Sequence, residues 1–130
     1  MSWRLELLDP VGRFLAASLF LGSGCDHIAN WAKSLDVIAA RGLPVPVACL
    51  GIAVVVELAG AICLVLGWRT RVAAFALAAF SVIATSLFHA HFGIESEAHL
   101  LAKDIALAGA LLCLAARPPG PFSLDHRRTA

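Results

Sequence analysis

The feature that most constrains this chain is a long apolar stretch, from Val45 to Gly67, that carries a single charge. The charged residue is Glu57, near the middle of the stretch. A helix needs about 20 apolar residues to cross a bilayer, so this stretch is long enough. A carboxylate at that depth costs roughly 2.5–3.5 kcal/mol on insertion scales. We therefore expect Glu57 either to carry a proton or to meet a partner on another helix.

The composition of the whole chain indicates an integral membrane protein with one domain. Of the 130 residues, 60% are hydrophobic and 15% are charged. Soluble domains are about 45–50% apolar and about 25% charged, so this chain has too little polar surface to cover a soluble globule. The formal net charge is +1 and no basic stripe occurs, which argues against nucleic acid as a partner.

The apolar pattern predicts an all-α fold, an integral membrane four-helix bundle. A segment from Ala32 to Leu43 is too short to cross, but its amphipathic pattern is typical of a helix in the membrane interface, between spans 1 and 2. Prolines after Arg117 end the last helix, and a polar tail is expected over 117–130. The four transmembrane spans are expected at about 11–31, 46–67, 71–89 and 98–116.

Positive residues divide unequally between the two sides that four spans define. One side carries Arg4, Arg13, Arg69, Arg71, Arg117, Arg127 and Arg128, and the opposite side carries Lys33, Arg41 and Lys103. Cytoplasmic loops of membrane proteins are enriched in such residues. The pattern therefore predicts that both termini and the tail are cytoplasmic.

Charges that interrupt the first and fourth spans predict a polar layer near the outer surface. At a rise of about 1.5 Å per residue, Asp26, His27, Lys103 and Asp104 lie roughly 6–9 Å deep, and Glu57 lies roughly 15 Å deep. Ionisable residues inside a membrane are functional by default. Such a layer could hold a polar head group, bind a metal or pass protons between the surface and Glu57.

A purely structural interpretation of the same residues stays open. Lys103 could pair with Asp26 or Asp104, and His27 with Glu57, only to hold the helices in register, because buried ion pairs are weak evidence of function. The two interpretations differ in geometry. A structural Glu57 lies within hydrogen-bonding reach of His27 or Lys103, whereas a functional one faces an open cavity with those groups at its rim.

Two further residues at the outer level are candidates for ligand contacts. Trp31 ends the first span and could stack on a ring, and His89 ends the third. His89 and His91 are two residues apart and do not share a helical face, so no metal site is predicted from them. No nucleophile elbow, glycine-rich phosphate loop or haem-attachment motif occurs, which argues against a self-contained hydrolase or NAD enzyme.

Seven motifs occur in an order typical of one family. They are Gly12-Arg13, Ser23-Gly24-Cys25-Asp26-His27, Gly42-Leu43-Pro44-Val45-Pro46, Glu57-Leu58-Ala59-Gly60, Leu66-Gly67-Trp68-Arg69-Thr70-Arg71, Phe88-His89 and Lys103-Asp104-Ile105-Ala106-Leu107-Ala108-Gly109. From about Val11 to Ala116 the chain resembles the DoxX-like family of small four-helix bacterial membrane proteins. The resemblance implies a four-helix bundle in the bacterial inner membrane. It also implies a link to redox chemistry, because namesake members are subunits of a thiosulfate:quinone oxidoreductase.

This chain departs from the family pattern at two positions. The first-helix motif usually reads Ser-Gly-x-x-Lys, and His27 stands at the lysine position. The fourth-helix motif usually reads Lys-Asn, and here it is Lys103-Asp104. A titratable group thus replaces a permanent cation, and an acid replaces an amide. A site that used the family lysine would be altered here.

The leading hypothesis is an accessory subunit of a quinone-linked membrane oxidoreductase, with catalysis by the chain itself left open. Its partners would be the bilayer and other membrane subunits or further copies of the chain, and quinone is the candidate cofactor. One alternative is a purely structural subunit that docks on a larger complex, and another is a proton-coupled transporter that works as an oligomer. The candidate catalytic residues are Glu57, Lys103 and His27, and the candidate ligand-binding residues are Asp26, Trp31, Asp104 and His89.

Overall fold

The computed structural model describes residues 3–88 and 95–129, with side chains for 3–88 and 98–128. Most of the described chain is helical. The helices are α1 (Trp3–Glu6), α2 (Leu8–Ala29), α3 (Trp31–Ala40), α4 (Pro46–Leu66), α5 (Thr70–Phe88), α6 (Glu95–Ala116) and α7 (Leu124–Thr129). The short helix expected between the first two long ones is present as α3. We refer to the two ends of the bundle as the α3 end and the α7 end.

Three of the long helices have the length and apolar composition that a membrane crossing requires. They are α4, α5 and the Ala98–Ala116 part of α6. Helix α2 has 22 residues, which is about 33 Å of helix, but polar side chains near both of its ends make its composition less apolar. The chain is therefore an all-α membrane protein, and a membrane crossing by α2 stays a prediction.

The long helices pack in the order α2, α4, α5, α6 around one apolar core. Small side chains are prominent in the core, and Ala17, Ala61 and Ala74 are fully buried. Small residues let helix backbones approach closely, which is how membrane helices gain packing energy. The faces directed away from the core carry large apolar side chains such as Ile52 and Phe75, which are 65% and 62% exposed. A bilayer would cover these faces.

Arginines cap the carbonyl ends of three long helices. Arg13, Arg41 and Arg71 donate through their guanidinium groups to α4, α5 and α6 respectively. The accepting carbonyls are those of Leu64 (2.7 Å) and Val65 (3.2 Å) on α4, Leu87 (3.2 Å) and Phe88 (3.1 Å) on α5, and Ala115 (2.9 Å) on α6. The last four carbonyls of a helix have no partner within it, and leaving them unpaired in a bilayer costs several kcal/mol. The arginines therefore pair carbonyls at helix ends, of which that of Leu64 is buried in a bond to Arg13 whereas the bonds of Arg41 on α5 are exposed.

The segment after α6 folds back onto the α7 end of the bundle. Ser123 is buried, at 4% exposure, and the backbone N–H of Asp125 donates to the carbonyl of Gly67 (2.9 Å). The Asp125 carboxylate accepts from the backbone N–H groups of Arg69 (2.6 Å) and Thr70 (2.7 Å), where α5 begins. The basic side chains beyond it are exposed, namely His126, Arg127 and Arg128. The expected polar tail thus has a docked part followed by an exposed basic helix.

Acid is expected to weaken the docking of this segment through Asp125. Partial burial raises the pKa of the Asp125 carboxyl group, but the Thr70 and Arg69 N–H groups and the charge of Arg128 together hold the pKa below its ordinary 3.8. Because the folded pKa is the lower one, the carboxylate stabilises the fold above about pH 4 and loses that effect as the pH falls through the folded pKa.

The measurement is thermal unfolding in detergent between pH 7 and pH 3. Asp125→Ala is expected to lower the stability by about 1 kcal/mol at neutral pH, because a helix-capping carboxylate is lost. The difference from the wild type should shrink below pH 4. Asp36→Ala, at an exposed position on α3, is the control and should show no such pH dependence. A difference for Asp125→Ala that stayed constant with pH would contradict the proposed role of its charge.

Candidate functional site

A buried carboxylate joins α2 and α4 near the middle of the bundle. Glu57 lies on α4 and is 3% exposed. The Ser23 hydroxyl donates to Glu57 Oε1 at 2.8 Å, and His27 Nδ1 lies 3.0 Å from Oε2. Ser23 and His27 are four residues apart on α2, so both project from one face of that helix. Each oxygen of the carboxylate therefore has one partner from the same helix face.

Gly24 allows the two helices to approach closely at this level. A Cβ at Gly24 would lie 2.7 Å from Leu58 Cδ2 and 3.6 Å from Glu57 Cβ. Contacts below 3.0 Å are not tolerated without movement of a side chain. The absence of a side chain at Gly24 thus brings Ser23 and His27, on either side of it, within reach of Glu57. This gives a geometric reason for the Ser-Gly pair in the first-helix motif.

One proton lies between His27 and Glu57 whichever group carries it. Either the ring nitrogen donates to an ionised carboxylate, or the protonated carboxyl group donates to the ring, and 3.0 Å suits both. The side chain of His27 is 32% exposed, whereas that of Glu57 is 4% exposed. The pair therefore connects a buried carboxylate to the bundle surface through one imidazole ring.

Two predicted site residues lie close to this cluster along the chain, and within the described residues no hydrogen bond or ion pair joins either of them to Glu57. Asp26 is exposed, and its Oδ1 accepts from Asn30 Nδ2 at 2.9 Å. Trp31, at the start of α3, is 37% exposed. Both remain close to His27 along the chain, at the α3 end of the bundle.

The predicted site residues beyond α2 are placed differently. Lys103 is exposed and Asp104 is half-buried on α6. Within the part of the chain that the structure describes, no hydrogen bond or ion pair joins either of them to Glu57. His89 lies outside the described residues. The structure thus brings two of the seven candidates, Glu57 and His27, into direct contact.

Ser23 was not among the predicted site residues, although the sequence contains the signal for it. It precedes His27 by one helical repeat of four residues, and serine can donate to a carboxylate from that position. The candidate site residues were selected mainly as charged or titratable groups at similar depths in the membrane, and the neutral hydroxyl of Ser23 is not such a group. The i, i+4 spacing on α2 would have identified Ser23 as a second partner for Glu57.

Arg13 is a second residue whose contacts the sequence did not predict, and its role is structural. It is 1% exposed, and its Nε donates to Asp9 Oδ2 at 2.9 Å. Its two Nη atoms donate to the carbonyls of Leu64, Val65 and Phe122. We call Asp9, Arg13 and the docked segment 120–125 the arginine clamp. The available sequence signal was the Asp9 and Arg13 pair at i, i+4.

The fold and the buried cluster define an all-α membrane protein with a Ser–His–Glu group between its first two long helices. The DoxX family model matches residues 8–90, a range that includes Arg13, Ser23, His27 and Glu57. The chain therefore belongs to the DoxX family.

Two curated relatives cover nearly the whole chain. Over 126 residues the chain is 30% identical to the inner membrane protein YqjF of Escherichia coli (strain K12). The aligned region covers 94% of this chain and 95% of the relative. Over 122 residues it is 29% identical to the inner membrane protein YphA of the same organism, covering 90% and 87% respectively. No solved structure matches the chain.

Proposed function

We propose that this DoxX-family protein is an accessory subunit of a quinone-linked oxidoreductase in the bacterial inner membrane. In this proposal Glu57 and His27 exchange protons with a quinone head group bound at the α3 end. The observation that carries the proposal is a buried carboxylate whose imidazole partner reaches the surface. A group with these properties can move a proton between the membrane interior and a ligand at the rim.

The location and orientation form part of the proposal. The names of YqjF and YphA as inner membrane proteins support the same membrane for this chain. We propose four spans, with α2 as the first and both termini in the cytoplasm. The basic side chains at the α7 end support this orientation, because positive residues concentrate on the cytoplasmic side. The α3 end then faces outward.

The residues at the α3 end fit a quinone head group. Within the described chain no residue engages Nε2 of His27, so this atom is available to a quinone oxygen. Trp31, four residues further along, offers a partly exposed ring for stacking. A bound quinone would supply two-electron, two-proton chemistry, with electrons from the partner subunit. Ser23 would hold one oxygen of Glu57 so that the other faces the imidazole.

Three further residues are proposed as rim groups for the same ligand. Asp26 lies next to His27, and Lys103 and Asp104 come from α6. Lys103 is exposed, so its ammonium group is free to approach a quinone oxygen or its anion. Their part in the proposal is to orient the head group, while His27 and Glu57 handle the proton.

The experiment is binding of a short-chain ubiquinone analogue to the purified protein in detergent. His27→Ala is expected to weaken binding by about 10- to 150-fold, since a hydrogen bond to a charged or polarised group contributes about 1.5–3 kcal/mol. Glu57→Gln keeps the shape but cannot exchange a proton, so it should change the pH dependence of binding, and the imidazole of His27 accounts for what remains. Asp36→Asn is the matched control on α3 and should bind as the wild type does. Wild-type affinity in both His27→Ala and Glu57→Gln would remove the quinone proposal.

One observation favours a second candidate function, in which the cluster only fastens α2 to α4. Both oxygens of Glu57 have partners inside the bundle, at 2.8 and 3.0 Å, as a structural role requires. The chain would then serve as a packing subunit of a larger membrane complex. In that case His27→Ala and Glu57→Gln should lower the melting temperature while the ubiquinone analogue does not bind even to the wild type.

A further inference from the structure

A groove at the α7 end of the bundle separates α2 from α6. It has a volume of about 190 Å³, and its apolar lining includes Leu8, Gly12 and Ala16 on α2 and Leu111 and Leu114 on α6. The charged residues of its lining are Asp9, Arg13 and Arg117. From Leu8 to Ala16 the groove extends about 12 Å along α2, which is most of the roughly 15 Å of one leaflet. Its dimensions therefore suit a hydrocarbon chain that lies along the bundle.

Positive charge without a partner lies at the mouth of this groove. A second cavity of about 70 Å³ shares Asp9, Arg13 and Arg117 with the groove and adds Arg71 and Asp125 to its lining. The charges of this lining sum to +1, from three arginines and two aspartates.

The two aspartates of this lining are already occupied. Asp9 accepts from Arg13 at 2.9 Å, and Asp125 accepts from the backbone N–H groups that begin α5. Arg71 uses only its Nε, which donates to the Ala115 carbonyl, and within the described chain Arg117 has no side-chain hydrogen bond or ion pair. Two guanidinium groups are therefore available for an anion beside an apolar groove.

We propose that this end of the bundle binds one anionic phospholipid. Its phosphate lies between Arg117 and Arg71, and one acyl chain occupies the groove between α2 and α6. Guanidinium groups bind phosphate through paired N–H donors, and basic pockets between membrane helices on the cytoplasmic side select anionic head groups. This site is at the α7 end of the bundle, away from the α3 end where His27 lies; it rests on the proposed orientation of the spans and not on the quinone proposal.

The experiment is native mass spectrometry of the purified protein with phosphatidylglycerol and with phosphatidylcholine of the same chains. One bound phosphatidylglycerol is expected, with at least fivefold preference over phosphatidylcholine. Arg117→Gln should lower the phosphatidylglycerol affinity roughly fivefold, because one basic residue near the head groups contributes about 1 kcal/mol. Arg127→Gln removes an exposed charge on α7 outside the groove and is the control.

A second pair of variants tests the acyl-chain half of the site. A Cβ at Gly12 has no atom within 4 Å, so a leucine there starts from open space and its side chain should occupy part of the groove. Gly22 is equally open, lies on α2 outside the groove, and gives the control Gly22→Leu. Gly12→Leu should bind phosphatidylglycerol at least fivefold more weakly than Gly22→Leu. Equal binding of the two lipids, or of the two leucine variants, would overturn the proposal, as would full displacement of the lipid by inorganic phosphate.

Discussion

Replacement of Arg13 by alanine is expected to lower the free energy of unfolding by about 3–5 kcal/mol, the cost of removing one partner of a buried charge pair. Arg13 is 1% exposed and donates to a carboxylate and to three carbonyls. Its removal leaves Asp9 without its partner and uncaps α4. It also releases the Phe122 carbonyl, so the C-terminal segment loses its attachment to α2. Chemical unfolding in detergent micelles measures the effect.

Two further variants test the reason for this effect. Arg4→Ala removes an exposed arginine that stacks on Trp3, and it should change the stability by less than about 0.5 kcal/mol. Arg13→Lys keeps the charge but loses the planar fork that reaches Asp9, α4 and Phe122 at once, so it should recover only part of the lost stability. If Arg13→Ala were no worse than Arg4→Ala, the arginine clamp would have no role in stability.

The sequence predicted the long helices and α3, because apolar length and helix-ending residues act locally, but it did not predict the short helices α1 and α7. Helix α4, from Pro46 to Leu66, lies within the apolar stretch from Val45 to Gly67. The contact between His27 and Glu57 was also one of the outcomes that the sequence defined in advance. This contact is the geometry expected if Glu57 only holds the helices together. Ligand binding is the test of the interpretation in which Glu57 exchanges protons.

The sequence could not predict how residues at equal depth are arranged around the bundle. Counting residues gives depth in the membrane, but it does not give the rotation of each helix about its own axis. Lys103 and His27 were placed in one layer, yet Lys103 is exposed on α6 while His27 contacts Glu57. The packing of α2 against α4, made close by Gly24, decides which side chain reaches the carboxylate.

The contact of Arg13 with the C-terminal segment could not be predicted from the sequence, for a different reason. The hydrogen bond from Arg13 to the Phe122 carbonyl joins residues 109 positions apart. By charge alone, Arg13 is one of several cations on the side of the chain that the sequence predicts to be cytoplasmic. Only the path of the segment after Pro118 shows that Arg13 is buried and that the segment passes over it.

Replacement of Gly67 by alanine is expected to destabilise the protein by about 2–4 kcal/mol through two separate costs. Gly67 ends α4 at φ +69°, and its N–H and that of Trp68 close the helix on Leu64 and Cys63. A residue with a side chain pays about 1–2 kcal/mol for this left-handed conformation. The added Cβ would also overlap the side chain of Ser123 and lie 2.8 Å from Arg13 Nη1, so the docked segment must move.

Gly42 separates the two costs, because it has φ +75° but no atom lies within 4 Å of the place that an alanine methyl group would take. Gly42→Ala should therefore show only the conformational cost of about 1–2 kcal/mol. The Gly67→Ala and Arg13→Ala double variant should be less destabilised than the sum of the two singles, because each releases the same segment. Two results would show that the segment is not held between Gly67 and Arg13. One is a double variant whose loss of unfolding free energy equals the sum of the losses in the two single variants. The other is an equal loss in Gly67→Ala and Gly42→Ala. The less-than-additive result would establish that one clamp fixes the ends of α2 and α4 together with the C-terminal segment.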